Sequence, residues 1–225
     1  MTNKIPIIMP VKDRLNLTRQ TIESLFNNTK YPFELIIISD NSGQETVDYL
    51  KSISGKARVT LMRDAKGCAV ARNAGMAVAK NSQYYYHSDN DIYFTEGWLG
   101  KMIKIMETSK KIGVLGGKGH AYHGAIESRD VGGLGIEICY QQPGFSMLIR
   151  RETWLDTGPF LHYPTQELGK EDCKFCTLAS EKGWEIARMK NQVIYHCGIR
   201  NTFGGNTTGH DEEEKQNFPE GVITE

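Results

Sequence analysis

Asp89-Asn90-Asp91 sets two carboxylates one residue apart at the end of the aromatic run Tyr84-Tyr85-Tyr86-His87-Ser88. If extended backbone continues through them, the two-residue side-chain period puts Asp89 and Asp91 on one side of the chain, roughly 7 Å apart. Two acids so placed repel each other unless a cation lies near both. A hard divalent ion, Mn²⁺ or Mg²⁺, carrying its own waters and a diphosphate would serve. Ser, Asp and Asn are also ordinary turn formers, so the surrounding elements have to decide between a metal site and a solvated turn.

Those elements alternate. Lys4 to Pro10 and Phe33 to Ser39 are apolar runs of strand length, the second nearly continuous, as in a strand covered on both faces. Arg58 to Met62 and the Tyr84 run supply two more strands. Between them, Leu15 to Asn27 has helical spacing with Asn16 as its candidate cap, and Gln44 to Ser52 and the Ala-rich Ala69 to Lys80 are also helical. Strand alternating with helix predicts an α/β fold, with a mostly parallel central sheet and helices on both faces. Ligands of such sheets bind outside the carboxyl ends of the strands. Three polar clusters fall there: Pro10 to Arg14, Ser39 to Ser42, and Ser88 to Asp91. One nucleotide could touch all three.

The second half is less regular. Trp98 to Thr108 is an amphipathic helix, Lys111 to Gly117 and Gly144 to Arg150 read as strands, and residues 113–135 are glycine-rich loop or short strands. Cys173 to Lys182 reads as a helix opened by Glu171-Asp172 and ended by Gly183, followed by short strands ending at Met189 and His196. After Arg200 the polar, acidic composition predicts a mobile tail or a lid. The expected organisation is therefore one domain over residues 1–200, its nucleotide half about 1–100 and its acceptor half about 101–200, with 201–225 outside it.

Composition narrows the partners. Lys plus Arg and Asp plus Glu number 27 each, so no overall field draws the chain to nucleic acid or anionic lipid. No segment approaches the roughly eighteen apolar residues of a transmembrane helix, and the start lacks the features of a signal peptide. With five cysteines and no export signal, reduced thiols and a cytoplasmic location are expected. Cys173-Lys174-Phe175-Cys176 is a single CxxC inside a helical pattern, and it reads as structural thiols. His120 and His123 have no further ligand beside them in their loop.

Four stretches, in order, resemble the GT-A fold glycosyltransferases of the family-two type. Ile7 to Arg14 is similar to the family's opening strand and its end. Ile36 to Ser42 stands in the place of its Val-Asp-Asp-Gly-Ser. Ala71-Arg72-Asn73-Ala74-Gly75 matches its Ala-Arg-Asn-x-Gly helix, and Asp89-Asn90-Asp91 its metal-binding Asp-x-Asp. The resemblance implies a single GT-A domain with a smaller acceptor-side subregion, moving a sugar from a nucleotide diphosphate-sugar to an acceptor hydroxyl.

Carried across residue by residue, it implies that Pro10, Val11 and Asp13 line the nucleotide pocket and that Asp40, with a carboxylate suited to the uracil N3–H, favours UDP. Arg72 would hold the base or diphosphate, and Asn90 lies in the same donor site. Asp91 would ligate the metal, Asp89 would contact the metal, ribose or sugar, and His196 would be a third ligand. Asp172 would be the base of an inverting transfer, with Glu171 binding the acceptor or serving as a structural acid. Ser39, Asn41 and Lys12-Asp13 depart from the family pattern, which affects base selectivity and stacking. A retaining enzyme with His196 on the metal, a nucleotidyltransferase and an inactive nucleotide- or sugar-binding module are the alternatives. The acceptor (glycan, protein, small molecule or modified nucleic-acid base) and the oligomeric state are left open.

Overall fold

The computed structural model describes residues 4–118, 125–162, 170–198 and 218–224. A nine-stranded sheet runs in the order β3 (Arg58–Met62), β2 (Phe33–Asp40), β1 (Ile5–Val11), β4 (Tyr84–Ser88), β9 (Ser146–Arg150), β6 (Ile112–Gly116), β10 (Glu185–Met189), β8 (Leu134–Cys139), β7 (Ala125–Val131). The first four strands are mutually parallel. β9 runs antiparallel to both neighbours, β4 and β6, and the far edge closes with antiparallel β10–β8 and β8–β7 pairs. A two-stranded antiparallel ribbon, β5 (Ile92–Phe94) with β11 (Ile194–His196), stands apart from this sheet.

β1 and β2 are buried on both faces because their side chains alternate between two cores. Ile7, Met9, Val11, Leu35 and Ile37 join Ile22 and Leu25 of helix α1 (Leu15–Asn28) and Trp98 and Met102 of α4 (Trp98–Thr108). Ile8, Ile36 and Ile38 turn the other way, onto Ala71 of α3 (Cys68–Val78). Helix α2 (Gln44–Ser52) follows β2 as expected. In the second half, α5 (Arg151–Thr157) and α6 (Glu171–Glu181) cover Val114, Met147 and Ile149 through Phe175, Cys176 and Trp154. All five cysteines are unbridged, and Cys173 and Cys176 both lie in α6.

Two expectations are corrected. Asn16 does not cap α1: the helix begins at Leu15 after two left-handed residues, Asp13 (φ 56°) and Arg14 (φ 55°), and Asn16 lies exposed in its first turn. The extended run does not continue through Asp91, because β4 stops at Ser88 and the chain bends before re-entering β5. Within the glycine-rich stretch, Gly132 (φ 63°) and Gly133 (φ 80°) make the two-residue turn of the β7–β8 hairpin, a geometry with both central residues left-handed that strongly favours glycine. Residues 218–224 touch the body of the chain: Gln20 exchanges two hydrogen bonds with the Ile223 backbone, and the Phe218 ring meets Tyr195. Residues 201–217, His120 and His123 lie outside the described residues.

Gly75 shows how closely α3 approaches the sheet, since a Cβ there would lie 2.3 Å from Ile8 Cγ2. Gly75→Ala gains helix propensity but overpacks a β-branched core residue, and a net loss of about 1–2 kcal/mol is expected. Urea unfolding checks it; an unchanged midpoint would show that α3 can lift off β1 at no cost.

Candidate active site

The carboxyl ends of β1, β2 and β4 lie along one edge of the sheet, and the site is assembled there. Asp91 and His196 meet because β5 pairs with β11, placing His196 opposite Ile92, with the Cys197 N–H donating to Asp91 O at 2.7 Å. The bend after β4 turns Asp89 toward the same point, where the Phe145 carbonyl accepts its N–H at 3.1 Å. One ligand atom from each of Asp89, Asp91 and His196 lies within 4.8 Å of the others.

Asp91 is 5 % exposed. Its Oδ2 accepts from Arg14 Nη1 at 2.6 Å, and its Oδ1 faces His196 Nε2 at 3.3 Å without a well-aligned hydrogen bond. Burial pushes the Asp91 carboxyl up, but His196 and Arg14 outweigh it and hold the group below the usual carboxylate range. Burial lowers the His196 imidazole, and Asp91 and Asp89 more than reverse that, leaving it above its ordinary value. The set of two carboxylates and one imidazole suits a divalent ion such as Mn²⁺. A buried carboxylate oxygen lacking a proper donor fits a cation as well.

Arg72, which the resemblance gives to the base or diphosphate, is 1 % exposed and turned inward, with Nη2 2.5 Å from Asp89 Oδ1 and 2.9 Å from Gly144 O, and Nη1 3.5 Å from Glu171 Oε1. A Cβ at Gly144 would lie 2.4 Å from Arg72 Nη1, so only glycine permits this approach. Gly144 also donates its N–H to Asp172 Oδ2 at 2.6 Å, while Asp172 Oδ1 accepts from Cys173 N at 2.6 Å. Asp172 therefore opens α6 half-buried with both oxygens oriented, and Glu171 beside it is buried against Arg72.

The remaining expected residues lie further along the edge. Pro10 and Val11 are buried within β1. Asp13 is exposed and accepts the Gly43 N–H through Oδ1 at 2.6 Å. Asp40 is 5 % exposed, and its two oxygens accept the N–H groups of Lys66 and Gly67 at 2.7 and 2.9 Å. Asn90, between Asp89 and Asp91, ties them to this end by donating to Asp13 O and Thr18 Oγ1. Sequence reasoning gave no role to Arg14, Gly144 or Phe145. Their partners are 77, 28 to 72 and 51 to 56 positions away, and no local spacing announces such contacts.

Comparison with known proteins agrees with this fold. A protein of Rickettsia bellii named as a glycosyltransferase is 33% identical over 110 residues, which cover 48% of this chain and 16% of that protein. The Escherichia coli UDP-Glc:alpha-D-GlcNAc-diphosphoundecaprenol beta-1,3-glucosyltransferase WfaP is 32% identical over 91 residues, 40% of this chain and 36% of its own. The chain thus spans only a minor part of these relatives' length. Among solved structures, GalNAc-T7 with UDP, GalNAc and Mn²⁺ superposes with a TM-score of 0.69 at 16% identity, covering 86% of this chain and 43% of that one. TarS of S. aureus in complex with UDP-GlcNAc gives 0.67 at 18% identity, covering 88% and 59%. These structures share the fold. The model of the family described as "Glycosyl transferase family 2" matches residues 7–152, well over half of the chain, and the chain belongs to that family.

Proposed function

We propose that the protein transfers a sugar from a nucleotide diphosphate-sugar, with UDP as the nucleotide, to an acceptor hydroxyl with inversion. The reading is carried by one observation: Asp89, Asp91 and His196 converge within 4.8 Å at the strand ends where an α/β sheet binds its ligand. Mn²⁺ or Mg²⁺ would be held by these three residues, and when bound it would supply Lewis-acid stabilisation of the diphosphate leaving group. UDP is favoured by the family resemblance and by the nucleotides in the names of WfaP, GalNAc-T7 and TarS.

The chain's own residues divide the remaining work. Asp172 takes the proton of the acceptor hydroxyl, its carboxylate oriented by the Gly144 and Cys173 N–H groups. A weak base suffices, because the hydroxyl becomes acidic as the new bond forms. Arg72 holds Asp89 and Glu171 at fixed positions by its buried guanidinium. Asp40 and Asp13 shape the base end of the donor site by fastening the 66–67 and 43 backbones, with Asn90 bridging to the metal ligands. Pro10 and Val11 form its floor from within β1.

UDP binding is expected to require Mn²⁺ or Mg²⁺, and equal calorimetric affinity in EDTA would count against the site. The metal requirement has a pH sign. His196 must lose its proton before it can ligate, and its neighbours hold that proton above the usual imidazole range. Metal affinity should therefore fall as pH drops through that raised value, by up to about tenfold per unit for one displaced proton. A flat Mn²⁺ affinity between about pH 8 and pH 6 would remove His196 from the ligand set.

A further inference from the structure

We infer that Phe145 is a positioning residue for the metal ligands, holding the His196 ring and the Asp89 backbone in binding geometry. The inference rests on the metal-dependent reading above and concerns a residue outside the proposed ligand set.

Phe145 lies immediately before β9, 6 % exposed. Its ring stacks on that of His196, with centroids 4.8 Å apart and planes 4° from parallel. Its carbonyl accepts the Asp89 N–H at 3.1 Å. One residue thus touches two of the three candidate ligands, by its side chain and by its main chain. The preceding residue extends the hold, since Gly144 O and Asp89 Oδ1 share Arg72 Nη2.

The physical consequence concerns freedom. An imidazole at the end of a short strand can rotate about two side-chain bonds, and ordering it on metal binding costs affinity. A flat aromatic face against the ring leaves one plane available, and it holds Nε2 3.3 Å from Asp91 Oδ1. Partners that orient metal ligands without touching the metal typically change affinity 10- to 100-fold when removed. Leucine at 145 keeps apolar volume and the backbone hydrogen bond but loses the flat face. Tyrosine keeps the face.

The test is Mn²⁺ affinity of the full chain without nucleotide, read from the electron paramagnetic resonance signal of free Mn²⁺. Phe145→Leu is expected to bind about tenfold more weakly than the unchanged protein, and Phe145→Tyr within about twofold of it. His196→Ala should weaken binding at least as much as Phe145→Leu, and the double variant no more than His196→Ala alone, because without the imidazole the stack has nothing to orient. Affinity of Phe145→Leu within twofold of the unchanged protein, or additive losses in the double variant, would overturn the inference. So would a Phe145→Leu chain without folded circular dichroism, since Phe145 would then act through the core. Absence of Mn²⁺ binding in the unchanged protein, or no loss in His196→Ala, would instead sink the metal assignment itself.

Discussion

Asp91→Ala should lose divalent-metal binding and with it sugar transfer, by roughly 10³-fold or more, the equivalent of the several kcal/mol that a bound metal contributes to leaving-group stabilisation. Of the three proposed ligands, Asp91 is the most enclosed. It lies between Arg14 and His196, and a Cβ on Gly198 would sit 2.1 Å from its Oδ2, so the backbone closes around the carboxylate. The fold should survive the change. Arg14 is 30 % exposed at its side chain and can turn to water, and His196 loses the partner that raised its pKa and becomes neutral more readily. Circular dichroism, Mn²⁺ titration and transfer assays on one purified preparation check all three statements. Full activity in folded Asp91→Ala would end the metal assignment.

Asp172→Ala should separate binding from chemistry. Loss of a general base typically costs 10²- to 10⁴-fold in rate, and transfer is expected to fall by that much while Mn²⁺-dependent UDP binding stays within a few-fold. The distinction is sharp because Asp172 is hydrogen-bonded to none of Asp89, Asp91, His196 and Asp40; its two oxygens accept from the Gly144 and Cys173 N–H groups. The Gly144 N–H lies beside a half-buried position that water can reach once the carboxylate is gone. Asp172→Asn retains the size but not the proton affinity, so it should be as inactive as the alanine variant. If Asn restores transfer, Asp172 positions Gly144 and the base lies elsewhere. If UDP binding collapses along with transfer, the residue belongs to the donor site.

The first hundred residues were largely legible because their signals are local. Apolar runs buried on both faces, helical spacing between them, and polar clusters at three strand ends are periodicities within about ten residues, and β1, β2, β3 and α2 appear within one or two residues of their expected limits. Asn16 shows where local reasoning failed. A good capping residue was present, but two left-handed residues upstream started the helix earlier. β5 was missed for a related reason, since three residues carry too little periodicity to announce a strand whose partner lies about a hundred positions away.

Chemical identity was in the sequence: two acids one apart after an aromatic strand, a Glu-Asp pair opening a helix, and a late histidine. Their convergence was not. It depends on β9 entering antiparallel beside β4, which brings Gly144 and Phe145 to the ends of both acid clusters, and on the β5–β11 ribbon that carries His196 to Asp91. The inward turn of Arg72 was likewise decided in three dimensions, since it needs the Gly144 backbone, Asp89 and Glu171, up to 99 positions away, to satisfy a buried guanidinium. Residue type and short period are properties of a segment and can be read from it. Which distant carboxylate a cation faces is set by the packing of the whole chain, because only the folded core fixes those separations to within a hydrogen bond's length.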